Sequence, residues 1–247
     1  MKNSRNIKKE IKSCYTKFFK NKEFDIDPEN GVLKTKKEWK FATHPYIGSQ
    51  YGKNTKILFI GLDIGEDERP GCITSFNERQ EDIGNDTNYK NIKYNPHIAG
   101  TLVTATYFSN ENKVREKIEK ERNYKNAIKV LKKDNMENPL AYIALTNFYK
   151  FVTQKRHNRS GPENRKYVSS QSYTYEHELL YNEIKIFSPK IIIFQSVEFE
   201  RLKYKDFLKE LRNQNKTIEI RIGPHPACRP PYSRIPKEYL ASIKEKK

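Results

Sequence analysis

The sequence is poor in cysteine and tryptophan and has no long apolar run. Its three cysteines lie far apart and form no C-x-x-C pair, so their spacing predicts neither a disulfide framework nor a zinc or iron–sulfur site. The longest apolar run, Leu140 to Leu145, is far shorter than the roughly 20 residues of a transmembrane helix. The segment Met1 to Lys12 is charged and lacks the apolar stretch of a secretion signal. We therefore expect a cytoplasmic protein that binds no metal, no cofactor and no membrane.

Acidic residues are outnumbered by basic ones. Lys and Arg total 48 against 31 Asp and Glu, which gives a formal net charge of +17. Such an excess favours a polyanionic partner, and nucleic acid is the first candidate. Hydrophobic residues make up only 35%, but 16 Tyr and 13 Phe supply aromatic anchors that disordered basic tails usually lack. We therefore expect a folded, basic monomer whose partner is DNA.

Four short apolar runs predict buried strands. Segments with helical spacing separate the last three runs, and a helix between two strands is typical of parallel pairing. Near-continuous apolar strands are typical of a sheet that is covered on both faces. The sequence therefore predicts an α/β fold with a central, mainly parallel four-stranded sheet and helices on both faces. The predicted strands are Lys56–Ile60, Ala141–Thr146, Lys190–Gln195 and Thr217–Ile222.

The remaining chain predicts further helices around this sheet. Apolar residues within Asn6–Phe24 predict a helix, and Tyr124 to Leu131 have apolar side chains at i, i+3, i+4 and i+7. No low-complexity linker or internal repeat divides the sequence. We therefore expect a single domain, 1–247, with an N-terminal helical extension (about 1–55) and a helical insertion (about 77–139).

Polar residues follow three of the predicted strands. Asp63 comes after the first strand, Asn147 after the second, and His225 lies in a proline-rich turn after the fourth. In a parallel sheet, ligands bind outside the carboxyl ends of the strands, so we expect these three side chains to share one edge. Taken singly, each also fits a helix cap, a turn or an ordinary loop. Together an acid, an amide and an imidazole can polarise water, bind a heterocycle and stabilise a leaving anion, which suits cleavage of an N-glycosidic bond.

The order of these motifs resembles the uracil-DNA glycosylase superfamily over roughly Lys56 to Tyr232. The resemblance implies that Asp63, in Gly61-Leu62-Asp63, orients the attacking water. It implies that Asn147 reads the pyrimidine edge and that His225, in His225-Pro226, hydrogen-bonds to the departing base. Because water rather than a lysine attacks, the implied enzyme is a monofunctional DNA glycosylase that leaves an abasic site.

The resemblance also assigns residues to the base pocket. Phe76 lies thirteen residues after Asp63, where the family places the ring that stacks on the flipped base. Core packing explains Phe76 equally well, and Tyr107 or Phe108 are alternative stacking rings. Gly65 stands where the family's best-known branch has a tyrosine that blocks five-substituted pyrimidines. By resemblance to phage-restricting glycosylases, an open pocket implies removal of bulky modified bases, such as glucosylated hydroxymethylcytosine, in anti-phage defence.

Two basic segments are candidates for contact with the DNA backbone. The segment Lys150 to Lys166 directly follows the predicted base-reading strand end and carries Lys155, Arg156 and Arg159. In the turn after His225, Arg229 or Tyr232 is placed to wedge into the vacated base position. A solvated surface loop is the alternative interpretation of the basic segment.

Two other functions fit parts of the sequence. A noncatalytic nucleic-acid-binding module would explain the charge and the fold without turnover. A metal-dependent nuclease would use the acidic run of Asp63, Glu66, Asp67 and Glu68. A run of acids after a strand is more often the solvated start of a helix, so the glycosylase is the favoured hypothesis.

Overall fold

The structure of the chain is a computed structural model, and twelve stretches of sequence are described in it. They are residues 3–22, 25–26, 33–34, 39–41, 44–53, 55–62, 76–84, 96–109, 112–133, 137–153, 170–227 and 234–246. The α-helices within these stretches are α1 (Ser4–Asn21), α2 (Phe76–Gly84), α3 (Pro96–Ser109), α4 (Asn112–Glu119), α5 (Tyr124–Lys133), α6 (Ser170–Phe187), α7 (Lys205–Gln214) and α8 (Pro236–Ala241). The strands within them are β1 (Asp25–Ile26), β2 (Leu33–Lys34), β3 (Trp39–Phe41), β4 (Tyr46–Ile47), β5 (Ile57–Gly61), β6 (Ile143–Asn147), β7 (Phe151–Thr153), β8 (Ile191–Phe194), β9 (Glu219–Ile222) and β10 (Lys244–Glu245).

A mixed six-stranded sheet forms the centre of the fold, in the order β10-β9-β8-β5-β6-β4. β9, β8, β5 and β6 pair in parallel, whereas β10 and β4 pair antiparallel at the two edges. The predicted α/β class is confirmed, and the four predicted strands are β5, β6, β8 and β9. The sheet has two more strands than we predicted, because edge strands of two residues are too short to show a period.

Helices cover both faces of this sheet. Along β5, Ile57 and Phe59 belong to a core cluster shared with α3, α4, α5 and α8, whereas Leu58 and Ile60 belong to a second cluster shared with α1, α6 and α7. Successive side chains of a strand point to opposite faces, so the two clusters lie on opposite sides of the sheet. Burial on both sides explains why all five residues of β5 are buried.

The helix predicted over Tyr124–Leu131 is confirmed as α5, and the helix predicted over Asn6–Phe24 is confirmed as α1, which ends earlier, at Asn21. The buried side chains of α1 recur on one stripe, which packs against α6 and the sheet. Asn3 caps α1, since its side chain accepts a hydrogen bond from the Asn6 amide at 2.9 Å. A search of the described helices finds none with an apolar stretch of bilayer-spanning length.

The strand order fixes where a ligand site is expected. The chain leaves β5 toward β6 on one side, and it leaves β8 toward β9 on the other side. Such a reversal opens a crevice outside the carboxyl ends of the two neighbouring strands. We therefore expect the crevice beyond Gly61 of β5 and Phe194 of β8.

Candidate functional site

The turn that carries His225 follows β9 and is held from several sides. The Tyr239 hydroxyl of α8 donates to the carbonyl of Pro224 at 3.2 Å, and Arg234 donates to the carbonyl of Ala227 at 3.0 Å. Proline on both sides of His225 fixes the backbone further. The turn therefore presents an exposed imidazole in a fixed position at the carboxyl edge of the sheet.

A local hydrogen bond assigns the tautomer of His225. The backbone amide of Ala227 donates to Nδ1 of His225 at 3.1 Å, so Nδ1 acts as an acceptor. The neutral ring then carries its proton on Nε2, which is a hydrogen-bond donor. A donor at this edge is suited to stabilise negative charge on a departing group.

A second histidine stacks on the first. The rings of His97, from the first turn of α3, and His225 have centroids 4.8 Å apart and planes 9° apart. Nε2 of His97 lies 3.3 Å from Oε1 of Gln195, the residue that follows β8. Gln195 donates from Nε2 to the Thr101 hydroxyl at 2.8 Å, which turns its oxygen toward His97. His97 is therefore the donor to Gln195, and this pair anchors the stack over the crevice.

The environment of His97 keeps its ring neutral at pH 7. Burial, followed by the neighbouring His225, lowers the pKa of His97 to about 4. A neutral ring stacked on His225 avoids the repulsion that two imidazolium rings would experience. The stack therefore contains at most one charge near neutral pH.

This shift predicts a loss of stability in acid. Between the unfolded pKa of roughly 6.5 and the folded pKa of about 4, the unfolded chain binds a proton that the folded chain does not. The free energy of unfolding of the wild type is therefore expected to fall as the pH drops through this window. The variant His97→Gln keeps a donor toward Gln195 but has no titrating ring, so its free energy of unfolding is expected to fall less between pH 7 and pH 5. Urea unfolding at both pH values measures the difference. Equal losses in the two proteins would contradict the assignment.

Gly100 allows the His225 turn to pack directly on α3. A Cβ at this position would lie 2.7 Å from Cβ of Pro226 and 3.1 Å from Cε2 of Tyr124. Any larger residue would push the turn away from the helix. Glycine in the middle of this helix is therefore explained by the close approach of Pro226.

Asn147 ends β6 and lies against β5. It is the register partner of Gly61, and a Cβ at Gly61 would overlap Oδ1 of Asn147. The side chain of Asn147 is only 8% exposed and lies over the end of β5. The structure thus places the amide close to the strand that leads into Asp63.

A buried ionic cluster fixes the chain on both sides of Asn147. Lys150 donates from Nζ to both carboxylate oxygens of Glu183, at 2.9 and 2.8 Å, and the Thr146 hydroxyl donates to Glu183 at 2.8 Å. Tyr15 of α1 also donates its hydroxyl to Glu183. We call these four residues the Glu183 cluster. Because Thr146 and Lys150 both bind the same carboxylate, the backbone that carries Asn147 has little freedom.

The cluster also changes the interpretation of the basic segment. Lys150 has no exposed surface, and its backbone amide donates to Glu176 at 2.8 Å. Burial lowers the pKa of Lys150, and the carboxylate of Glu183 opposes this shift. The segment predicted to contact DNA therefore starts beyond Lys150. Its next residues form β7, which pairs antiparallel with β3.

Phe76 lies at the start of α2 and is buried. Its ring is 4% exposed and packs edge-on against His44, with centroids 5.4 Å apart. Its assignment as the stacking ring stays a prediction. The alternatives Tyr107 and Phe108 lie at the other end of α3 from His97, roughly 15 Å away at 1.5 Å per residue.

Several predicted residues lie outside the described residues. Among the described residues, no group of three or more His, Cys, Asp and Glu side chains is placed to hold a metal ion. The acidic run of Glu66, Asp67 and Glu68 is not among them. The other predicted site residues outside the description are Asp63, Gly65, Lys155, Arg156, Arg159, Arg229 and Tyr232.

Sequence reasoning missed His97 and Gly100 as parts of the candidate site. Both lie in a segment interpreted as a helical insertion, and their only signal is a His-x-x-Gly-Thr pattern in an otherwise apolar helix. No family of known proteins matches the sequence, and no curated protein matches it significantly. The function must therefore be argued from the residues and their geometry.

Proposed function

We propose that the protein is a monofunctional DNA glycosylase of the uracil-DNA glycosylase type, which hydrolyses the N-glycosidic bond of a pyrimidine nucleotide. One observation supports this function above others. The proline-held imidazole of His225, with its donor on Nε2, lies at the same edge of the sheet as the buried amide of Asn147. A leaving base needs such a donor, and a flipped base needs an amide to bind its edge.

The strand order sets the separation of the imidazole and the amide, and this separation supports the proposal. The ends of β9 and β6 are separated by β8 and β5, which corresponds to roughly 14 Å at about 4.8 Å per strand. β5 lies between them, and Asp63 comes two residues after its end. The proposal therefore requires that Asp63 reach the space between the amide and the imidazole, as hydrolysis with an activated water demands.

Each group has a separate task in the proposed reaction. Asp63 orients water toward the sugar carbon and stabilises the positive charge that develops on the sugar. Asn147 hydrogen-bonds to the edge of the flipped pyrimidine, and His225 donates to the base as negative charge develops on it. Base binding must offset the few kcal/mol that extrusion from the stack costs.

The proposed substrate is either a uracil-like pyrimidine or a pyrimidine with a bulky group at position five. By the resemblance drawn from the sequence, Gly65 stands where the family's best-known branch has a tyrosine, so uracil-like and glucosylated hydroxymethylcytosine bases are both candidates. A role in defence against phages with modified DNA follows from the second candidate. Comparing excision from modified and unmodified phage DNA tests this part of the proposal, and equal or no excision contradicts it.

Direct detection of a released base is the decisive experiment. Duplexes with one uracil, hydroxymethylcytosine or glucosylated hydroxymethylcytosine are incubated with the protein, and mass spectrometry detects the free base. Alkali-labile abasic sites should form at the modified position only. If no pyrimidine is released while DNA binds tightly and with strong salt dependence, the noncatalytic binding module is the correct function.

Gly100→Ala is expected to slow this reaction without unfolding the protein. The added Cβ would displace Pro226, and a shift of the His225 turn by about 1 Å is expected to reduce the rate roughly 10²-fold. The gain in helix propensity, about 1 kcal/mol, partly offsets the overpacking, so the free energy of unfolding changes little. Single-turnover kinetics and urea unfolding measure the two effects.

Gly84→Ala provides the matched control, because Gly84 lies in α2 and faces Tyr46 rather than the His225 turn. Its rate of base release is expected to equal that of the wild type. A wild-type rate in Gly100→Ala would show that the close packing of Pro226 does not position His225.

A further inference from the structure

A basic groove lies at the edge of the sheet. It is a cavity of ≈ 790 Å³ between the first three turns of α1, the helix α2 and the edge strand β4. Tyr46 and Ile47 of β4 form part of its wall, and Asn138 and Ala141, just before β6, lie at one end. We call this cavity the α1 groove.

Four cations line the α1 groove from one helix. They share one face of α1, because their positions are i, i+3, i+4 and i+7: Arg5, Lys8, Lys9 and Lys12. Glu81 of α2 is the carboxylate in the same lining, which leaves an excess of three positive charges. Within the described residues, none of the four cations forms an ion pair with a carboxylate. The groove therefore carries positive charge that a bound anion would neutralise.

Lys8 gives independent support for an anion in the groove. Its side chain is partly buried, and burial lowers the pKa of Lys8 with no carboxylate to oppose the shift. In the Glu183 cluster, by contrast, a carboxylate compensates the buried lysine. A phosphate beside Lys8 would supply the missing compensation.

The dimensions of the groove fit a nucleic-acid strand. From Arg5 to Lys12 the helix rises roughly 10 Å, which matches the length along the duplex axis of about three nucleotides of one strand, at about 3.4 Å each. The aromatic residues of the lining, Tyr46 and Phe76, are buried and offer no open ring to an unstacked base. Contacts in the groove would therefore go to the backbone, which positions DNA without reading its sequence.

We propose that the α1 groove binds the sugar–phosphate backbone of DNA at about three successive phosphates. Ala141, at one end of the groove, is six residues before Asn147, whereas Tyr46 in its wall pairs with Leu145, two residues before Asn147, so the groove runs along β4 toward the base-reading amide. This inference deepens the proposed function and rests on DNA being the substrate. The groove would be a third region of contact with DNA, in addition to the basic segment and the turn after His225 that the sequence predicts.

Two triple variants with equal changes of charge test the proposal. The groove variant replaces three lysines with glutamine and so removes three positive charges from the groove: Lys8→Gln, Lys9→Gln and Lys12→Gln. The α5 variant removes three positive charges from the exposed side of α5, which packs on the opposite face of the sheet. Its substitutions are Lys125→Gln, Lys129→Gln and Lys133→Gln. Circular dichroism and thermal unfolding establish that both variants fold as the wild type does.

The measurement is the salt dependence of binding to a fluorescent duplex of about 20 base pairs. Each lost phosphate contact reduces the slope of log K against log salt by about 0.9, so the groove variant is expected to lose roughly 2 to 3 units of slope. The α5 variant is expected to lose less than about one unit. Equal losses in both variants would show that overall charge, not the groove, binds DNA, and would overturn the proposal.

Further measurements separate this proposal from the glycosylase assignment. At saturating protein, single-turnover base release by the groove variant is expected to match the wild type, because none of the three substituted lysines belongs to the proposed base pocket or catalytic groups. If the wild type releases no base but the groove variant still loses slope, the groove is supported and the enzyme is not. If the wild type releases base and the slope is unchanged, the groove is wrong and the enzyme stands. Loss of binding to phosphatidylserine vesicles with intact DNA binding would also overturn the proposal.

Discussion

Asp63→Asn is expected to reduce base release by about 10² to 10⁴-fold, the range that a positioned acid or base contributes to catalysis. Asparagine keeps the size of the side chain but lacks the negative charge, so it neither orients water as a base nor stabilises a cationic sugar. Single-turnover kinetics on the substrate identified by mass spectrometry give the rate. Affinity for the same duplex, measured by anisotropy, is expected to stay within about threefold of the wild type, since the change removes a charge that would repel phosphate.

His225→Ala provides a second reference for the same reaction. Loss of a single donor to a developing anion costs about 10² to 10³-fold, so this variant is expected to be impaired to a similar or smaller extent. Because acid and imidazole act in one transition state, the double variant should be less impaired than the product of the two single effects. Wild-type rates in both single variants would exclude the proposed mechanism, whatever bases are released.

Glu183→Gln is expected to lower the free energy of unfolding by about 3 to 5 kcal/mol, the cost of leaving a buried charge without its partner. Glu183 has no exposed surface and accepts hydrogen bonds from Lys150, Thr146 and Tyr15. The ammonium of Lys150 would remain buried beside a neutral amide, which binds it far less strongly. Urea unfolding at pH 7 measures the loss.

Two further variants distinguish charge pairing from general damage to α6. The double variant Lys150→Met with Glu183→Leu removes both charges, and it is expected to recover much of the lost stability, because apolar residues often replace a buried ion pair without loss. Glu116→Gln on α4 changes an exposed glutamate in the same way and is expected to have little effect. A stability of Glu183→Gln equal to that of Glu116→Gln would show that the pair adds nothing to the fold.

The central strands were predictable because their signal is local. Runs such as Ile57 to Gly61 are buried on both faces, and continuous apolar sequence is the direct mark of such burial. The helix α1 was predictable for the same reason, since its apolar stripe repeats with the helical period. The polar residues at the strand ends, Asn147 and His225, follow once the strands are placed in parallel.

The parts that sequence reasoning missed depend on contacts between distant segments. His97 belongs to the candidate site because α3 places it beside Gln195 and His225, residues roughly one hundred positions later in the chain. The Glu183 cluster likewise joins α1, β6 and α6, and no local period marks a buried lysine. The cations of α1 fit a solvated helix face in sequence, and only the concave surface formed with α2 and β4 makes them a groove.

The two edges of the sheet limit how other molecules can join it. β10 is two residues long, Lys244 and Glu245, and both side chains are exposed and charged. β4 is equally short, and α2 packs beside it. Edge strands that are short, charged or covered by a helix offer little backbone for a strand of another molecule to pair with. This protects concentrated protein from edge-to-edge aggregation. An inhibitor of this protein that works by strand mimicry would find little backbone to pair with, whereas a compact anionic ligand would meet cationic side chains instead.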